Sequence, residues 1–389
     1  MLNIPLMSNN ISKEDVGELI TFLESSDHFT NGPKVREFEE AWNAWGGGVK
    51  HSLFVNSGSS ANFMTMAGIA HLYGTGEVIV PAVTWSSDIS SVIMAGHTPV
   101  FVDVSFSNIA MQEEAILSHI TKNTKAVFLS HILGFNGLRK NLVKELERCN
   151  VLLVEDVCES HGAVFDGKKA GTIGFASNFS FYYAHHMSTI EGGMICTDNR
   201  EFYEIMRMYR SHGMLRECTD EQYIDKIVAE YPKLHKEFIF TVPGFNMRST
   251  ELNAIIGLNQ LKRLDLNILQ RKENFTFFME NLDSGKYYTD FDMEGNSNYA
   301  FVILLREKND KLYNRMLSAL VDEKVEFRRG TAGGGNMVRQ PFVRERYPYL
   351  NPKDFPNAEH IHFYGLYTGN YPGLEKEKIA GLCKVLNAL

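Results

Sequence analysis

From about residue 50 to residue 200, short continuously apolar runs alternate with stretches in which apolar residues recur every three or four positions. The runs "EVIVPAV" (77–83), "TPVFVDV" (98–104), "TKAVFLSHIL" (124–133), "VLLVEDV" (151–157), "NFSFYYA" (178–184) and "GGMICTD" (192–198) read as strands. A strand covered on both faces loses the polar alternation of a half-exposed one, so such runs belong to a buried sheet. Helices are expected between them, at 59–73 and 138–149. The alternation predicts an α/β fold with a mostly parallel central sheet, in which ligands gather at the carboxyl ends of the strands.

After "VPGFNMRST" (242–250) the pattern changes. Leu252, Ile255, Ile256, Leu258, Leu261 and Leu264 follow helical spacing and predict one long amphipathic helix that links two domains. Beyond it come a strand at 298–305, a helix near 309–323, a strand at 324–328, the Gly-rich turn "GTAGGGN" and a closing helix after Leu374. The expected division is a large domain over 1–250 and a smaller α+β domain over 251–389.

Composition narrows the function classes. A chain of 389 residues with 44% hydrophobic and 22% charged residues is long enough for two cores. Its net charge of −8, with no Lys/Arg run, argues against a dedicated nucleic-acid partner. No apolar run approaches the roughly 18 residues of a membrane span, and "MLNIPLMSNN" has neither a basic nor an apolar leader segment, so the cytoplasm is the expected location. The five cysteines are scattered without a CxxC pair, which suggests neither disulfides nor a zinc or iron–sulfur site.

A few segments could carry chemistry. Ser57-Gly58-Ser59-Ser60 stand where a helix begins, and free N–H groups there suit a phosphate, although a plain helix cap would look the same. Asp156 ends an apolar strand, where it either caps the next turn or pairs with a buried cationic nitrogen such as a protonated pyridine. Trp85 lies past a strand end, as core or as a platform for an aromatic ring. Cys158 and His161 lack further soft ligands nearby, so no metal is expected. Dispersed arginines, among them Arg210, Arg216, Arg248, Arg328 and Arg339, make surface pairs or clamp carboxylates and diphosphates. In "NFSFYYAHHMSTIEGG" the adjacent His185 and His186 are either a packed pair or a proton-transfer site.

Taken in order, "HFTNGPKVREFEEAW", "NSGSSAN", "VPAVTW", "FVDV", "VEDVCESHGA", "SFYYAHHMSTIEGG", "PGFNMRSTELNAIIGLNQL" and "GGGNMVRQPF" resemble the DegT/DnrJ/EryC1/StrS family of pyridoxal-phosphate-dependent sugar aminotransferases. The histidine where that family has its cofactor lysine is similar to its dehydratase branch. The resemblance implies the type I aminotransferase fold, pyridoxal or pyridoxamine phosphate as cofactor, and a homodimer with shared active sites. It further implies C-3 dehydration of a nucleotide-linked 4-keto-6-deoxyhexose, preferably GDP-linked, with glutamate as amine donor and ammonia released, in dideoxysugar synthesis. A CDP-linked substrate, or a silent cofactor-binding protein, is the alternative; no iron–sulfur reductase partner is implied.

Residue by residue, the resemblance makes His185 the proton carrier at the lysine position. Asp156 would meet the pyridine nitrogen, Trp85 would stack on the ring, and Glu159 would lie near its 3-hydroxyl. Gly58, Ser59, Ser60 and Ser180 would hold the phosphate, with Asn246 reaching it from the other subunit. His212, Arg216, Arg248 and Arg328 are candidates for glutamate and the sugar nucleotide. An extra glycine in "RGTAGGGN" leaves the register of the 328–336 loop, and any role for Arg329, open.

Overall fold

The computed structural model describes residues 1–8, 10–331 and 334–389. Its strands are β1 (His51–Val55), β2 (Glu77–Pro81), β3 (Thr98–Val102), β4 (Thr124–Ser130), β5 (Leu152–Asp156), β6 (Val164–Phe165), β7 (Lys168–Lys169), β8 (Ala176–Ser180), β9 (Gly193–Thr197), β10 (Ala300–Leu304), β11 (Phe327–Arg329) and β12 (Gly365–Gly369). Seven form one sheet in the order β1-β9-β8-β5-β4-β2-β3. The pairs from β3 through β8 are parallel, and only β9 runs against its neighbours. The carboxyl ends of β1, β2, β4, β5 and β8 therefore share one edge, as the sequence pattern anticipates for a ligand site.

The continuous apolar runs have a direct physical cause. Along β4, Ala126 and Phe128 face one buried cluster while Val127 and Leu129 face the other, so both sides of the strand are dry. Phe38 and Trp42, on the helix Pro33–Gly46, cover one face. The helices Gly58–Tyr73 and Arg200–Arg210 cover the opposite one through Met64, Phe202 and Met206. A polar residue at any of these strand positions would lose its water with no partner in return.

Two expectations from the sequence need correction. The single linking helix is two, Glu251–Leu261 and Leu264–Asn281. At the break Arg263 leaves helical geometry, and its guanidinium forks onto the buried carboxylate of Asp15 at 2.9 and 2.5 Å. That bidentate, charge-assisted contact outweighs continuation of the helix by two residues. The run at 51–55, unmarked by the sequence pattern, is β1, paired in full register with β9.

The smaller body is the three-stranded antiparallel sheet β10-β12-β11 with its flanking helices. The chain's beginning joins it: Ile4 bridges to Val325, and the Leu2 and Asn3 amides donate to the Glu323 carbonyl. The helix Glu251–Leu261, by contrast, packs on Lys13–Ser25 and Pro33–Gly46. We propose that the smaller domain consists of the three-stranded sheet, its helices and the N-terminal residues, with Glu251–Leu261 on the larger domain.

The two bodies meet tightly at Gly134, whose φ of 93° favours glycine. A Cβ there would collide with the Ser297 carbonyl oxygen, and the Gly134 carbonyl accepts from the Ser297 amide at 2.7 Å. Gly134→Ala is expected to cost on the order of 3 kcal/mol, from strain plus a displaced domain contact. Thermal denaturation checks this, and a melting temperature within a degree of the parent would contradict it.

Candidate active site

The strand ends on the common edge open into one cleft of about 320 Å³, lined among others by Gly58, Ser59, Trp85, Asp156, Glu159, Ser180, His185 and Arg328. These eight residues, spread over 270 positions in sequence, are eight of the thirteen that the sequence singles out, and the topology of the sheet is what brings them together.

One end of the cleft is built from donors. Ser57 caps the helix Gly58–Tyr73, with its Oγ accepting from the Ser60 amide at 3.0 Å. Ser180 ends β8 opposite this helix start. A Cβ on Gly58 would stand 2.6 Å from the Ser180 Cβ and 3.0 Å from the Cys158 Sγ, so only glycine lets the helix start approach the strand end. The first-turn amides and the two hydroxyls form a cradle suited to a phosphate. Ser60 does not line the cleft: its amide is used by Ser57 and its Oγ donates to Asn56 at 2.6 Å. Ser57, which belongs to the Ser57–Ser60 segment read as a phosphate site or a plain cap but is not among the residues assigned to the phosphate, does line it.

At the centre, Asp156 ends β5, with Oδ1 accepting from the Cys158 amide at 2.8 Å and Oδ2 from Asn62 Nδ2 at 2.9 Å. Trp85 is 45% exposed, enough of its ring for a planar ligand to lie on. Glu159 accepts from the Leu133 amide at 2.9 Å, and burial pushes its carboxyl up to about 7, with Asp156 adding to the rise and Arg328 opposing it. A carboxylate facing a cationic nitrogen, a flat indole and a phosphate cradle are the groups that pyridoxal phosphate requires, so the donor set fits that cofactor.

The two histidines differ in kind. His185 is on the cleft wall, and its Nδ1 lies 3.1 Å from the Ser180 carbonyl oxygen. A carbonyl only accepts, so Nδ1 carries the proton and Nε2 keeps its lone pair. Burial drives the imidazole down to about 4, so it is neutral at physiological pH. His186 is 1% exposed and turned inward, with Nε2 bonded to the Ser297 carbonyl at 3.0 Å. His161 is packed against it, ring centroids 5.3 Å apart, and does not line the cleft.

The remaining predicted residues are elsewhere in a single chain. Asn246 is exposed, its Oδ1 accepting from Arg248 N and Nε at 3.3 and 3.2 Å. His212 and Arg216 are exposed too, with Arg216 over the Phe238 ring. Arg329 turns away toward Tyr313, and Ala332 and Gly333 of the adjoining loop lie outside the described residues. The cleft also contains Tyr182, Tyr299 and Tyr367, which sequence reasoning missed. Tyr299 immediately precedes β10 and Tyr367 is the middle residue of β12, and nothing local marks either aromatic as pocket-facing. Among the described residues, no group of three His, Cys, Asp or Glu side chains is placed to hold a metal, and no helix is long and apolar enough to cross a membrane.

GDP-4-keto-6-deoxy-D-mannose 3-dehydratase of Yersinia pseudotuberculosis is 32% identical over 393 residues, covering 99% of this chain and 98% of that one. The E. coli GDP-4-keto-6-deoxy-D-mannose-3-dehydratase, solved with bound hydrated PLP, superposes with a TM-score of 0.88 at 29% identity, covering 99% of this chain and all of that one. A GDP-4-keto-6-deoxymannose-3-dehydratase with a trapped PLP-glutamate geminal diamine matches with a TM-score of 0.88 at 28% identity, again over 99% and 100% of the two chains. The family model matches residues 9–387, nearly the whole chain. With the fold, the cleft and this match in agreement, the chain belongs to the DegT/DnrJ/EryC1/StrS aminotransferase family.

Proposed function

We propose that this protein is a pyridoxal-phosphate-dependent dehydratase that removes the C-3 hydroxyl of a GDP-linked 4-keto-6-deoxyhexose, with glutamate as amine donor. The observation that carries the reading is His185: a neutral imidazole with its Nε2 lone pair free, on the wall of a cleft otherwise equipped for the cofactor. The relatives' names supply the GDP-linked 4-keto-6-deoxymannose, and the PLP-glutamate adduct of one solved relative supports glutamate.

When bound, the cofactor supplies an electron sink and carries the amine between glutamate and the sugar ketone. The chain's own groups do the rest. The first-turn amides at Gly58 and Ser59, with the Ser57 and Ser180 hydroxyls, would hold its phosphate, Asp156 would meet its ring nitrogen and Trp85 would cover its ring. A lysine at position 185 would bind the cofactor covalently and also move protons, whereas histidine does only the second. His185 takes a proton at Nε2 and delivers it to the departing C-3 hydroxyl, because Nδ1 is committed to Ser180. The electron balance closes without a reductase: glutamate is oxidised by two electrons to 2-oxoglutarate, C-3 is reduced by two from CHOH to CH2, and ammonia leaves.

Asn246, His212, Arg216 and Arg248 fit this reading on a homodimer. Leu234, Phe238, Phe240 and Phe245 are all more than half exposed on the segment that leads to Asn246. A second copy of the chain would cover this apolar face and bring Asn246 to the partner's phosphate cradle. Light scattering should therefore give about twice the 44.1 kDa of one chain, and a monomer at micromolar concentration would contradict the shared site.

His185→Asn should keep PLP affinity within a few-fold while losing at least about 100-fold in sugar dehydration, the scale of a lost acid–base group. Dehydration at a tenth of the parental rate or better would remove His185 from the role. His186→Asn, which disturbs only a buried bond, should cost about 1–2 kcal/mol of stability and leave dehydration largely intact.

The protonation state is open to direct measurement. In the 15N side-chain spectrum of the cofactor-free protein, the resonance lost in His185→Asn should belong to a neutral Nδ1–H imidazole. Its folded-state pKa is depressed, so it should stay neutral as pH falls past 6.5 and protonate only near 4. An Nε2–H tautomer, or a midpoint near 6.5, would contradict the assignment.

A further inference from the structure

Beside Asp156 on the cleft wall lies a second carboxyl that has no part in the proposed reaction. Asp88, on the helix Ser86–Met94, is 1% exposed. Its Oδ2 accepts from the hydroxyls of Thr84 and Ser130. Its Oδ1 accepts at 2.8 Å from Asn62 Nδ2, the same nitrogen that donates to Asp156 Oδ2 at 2.9 Å and to Ser87 Oγ at 3.2 Å. The Asp88 and Asp156 carboxyls are thus joined through one shared donor.

The accounting does not close for two carboxylates. One amide nitrogen has two hydrogens for three acceptors, and the other end of the same side chain, Asn62 Oδ1, is buried without a partner. The groups that face Asp88 are Thr84 on its own segment, Ser130 from β4, Asp156 from β5 and Asn62 from the helix Gly58–Tyr73. The Cys158 thiol after β5 feels both carboxyls. Among the described residues none of these is cationic, and no lysine or arginine is bonded to either acid. Two adjacent carboxylates cannot both ionise in a dry site without a cation, so the pair retains one proton. Both acids lie on the cleft wall, but Asp156 has the backbone amide of Cys158 on Oδ1 and is 8% exposed, whereas Asp88 is 1% exposed and has no backbone donor, so the proton belongs with Asp88.

We propose that Asp88 is a positioning residue: a neutral carboxylic acid whose proton is directed at Asp156, holding that carboxylate as a single negative charge aimed at the cofactor's ring nitrogen. The proposal rests on the reading that Asp156 meets that nitrogen. Burial first, then repulsion from Asp156, raises the Asp88 carboxyl well above the usual carboxylate range, in keeping with this state.

Three variants of the full chain test it. A folded-state pKa above the unfolded one gives stability that is present below the unfolded value of about 4 and lost as pH rises through the folded value. In cofactor-free protein, the melting temperature of the parent should therefore fall between pH 5 and 9 relative to that of Asp88→Asn, which mimics the protonated acid. Parallel curves would overturn the protonation claim.

PLP titration reads the positioning claim. Asp88→Leu, which has the shape without a donor, should weaken PLP binding about tenfold or more, and Asp88→Asn should recover most of that loss. An Asn variant as weak as the Leu variant would mean that a negative charge at 88 is what matters, and would overturn the proposal. Asp156→Asn should lose PLP affinity in its own right. If it binds like the parent, the reading of Asp156 fails and the positioning claim with it, while the cofactor-free melts still decide the protonation of Asp88.

Discussion

A single hydrogen bond, from His185 Nδ1 to the carbonyl of Ser180, determines what the site can do. It fixes the tautomer, aims Nε2 into the cleft and ties the proton carrier to the strand end that also helps form the phosphate cradle. The turn that presents His185 is held from several directions. Its carbonyl accepts from Arg271, its amide donates to Tyr182 O at 3.0 Å, and Thr189 N closes back on Phe181 O at 3.0 Å. Arg271 also binds the carbonyls of Tyr299 and Asn370, so the smaller sheet is fastened to the same turn. Movement of one domain against the other would thus shift the contacts around His185, which links the packing of the two bodies to the position of one nitrogen.

The electrostatics of the cleft follow from burial more than from charge pairs. Burial is the first cause of the rise at Asp88 and Glu159 and of the fall at His185. The result is a site whose base is neutral at physiological pH and in which the Asp88 and Glu159 carboxyls are reluctant to ionise. Such a site has little charge of its own with which to compete for a cofactor that brings a phosphate dianion and a ring cation. The helix-start amides meet the first and Asp156 the second, without long-range charge.

Much of this was legible in the sequence. The buried strands announced themselves because both faces of the sheet are covered, which erases polar alternation, and chemistry-bearing residues such as Asp156 and Ser180 stand at strand ends as the topology requires. What was not legible depended on distant partners. The break at Arg263 is set by Asp15, some 250 positions away, and β1 is a strand because β9 pairs with it. Tyr299 and Tyr367 reach the cleft only because the smaller sheet packs above the strand ends. Asp88, three residues after Trp85, is by its local sequence an ordinary first-turn acid of a helix; only the Asn62 side chain that it shares with Asp156 gives it meaning.

The central claim is that this lysine-free site spends its amine on removing oxygen. The most direct test follows nitrogen through a single incubation of protein, PLP, 15N-glutamate and GDP-4-keto-6-deoxy-D-mannose. The account predicts 2-oxoglutarate and 15N-ammonia in equal amounts with a sugar nucleotide that has lost one oxygen and gained no nitrogen. A sugar product that retains 15N and its C-3 hydroxyl would show amination instead and contradict it.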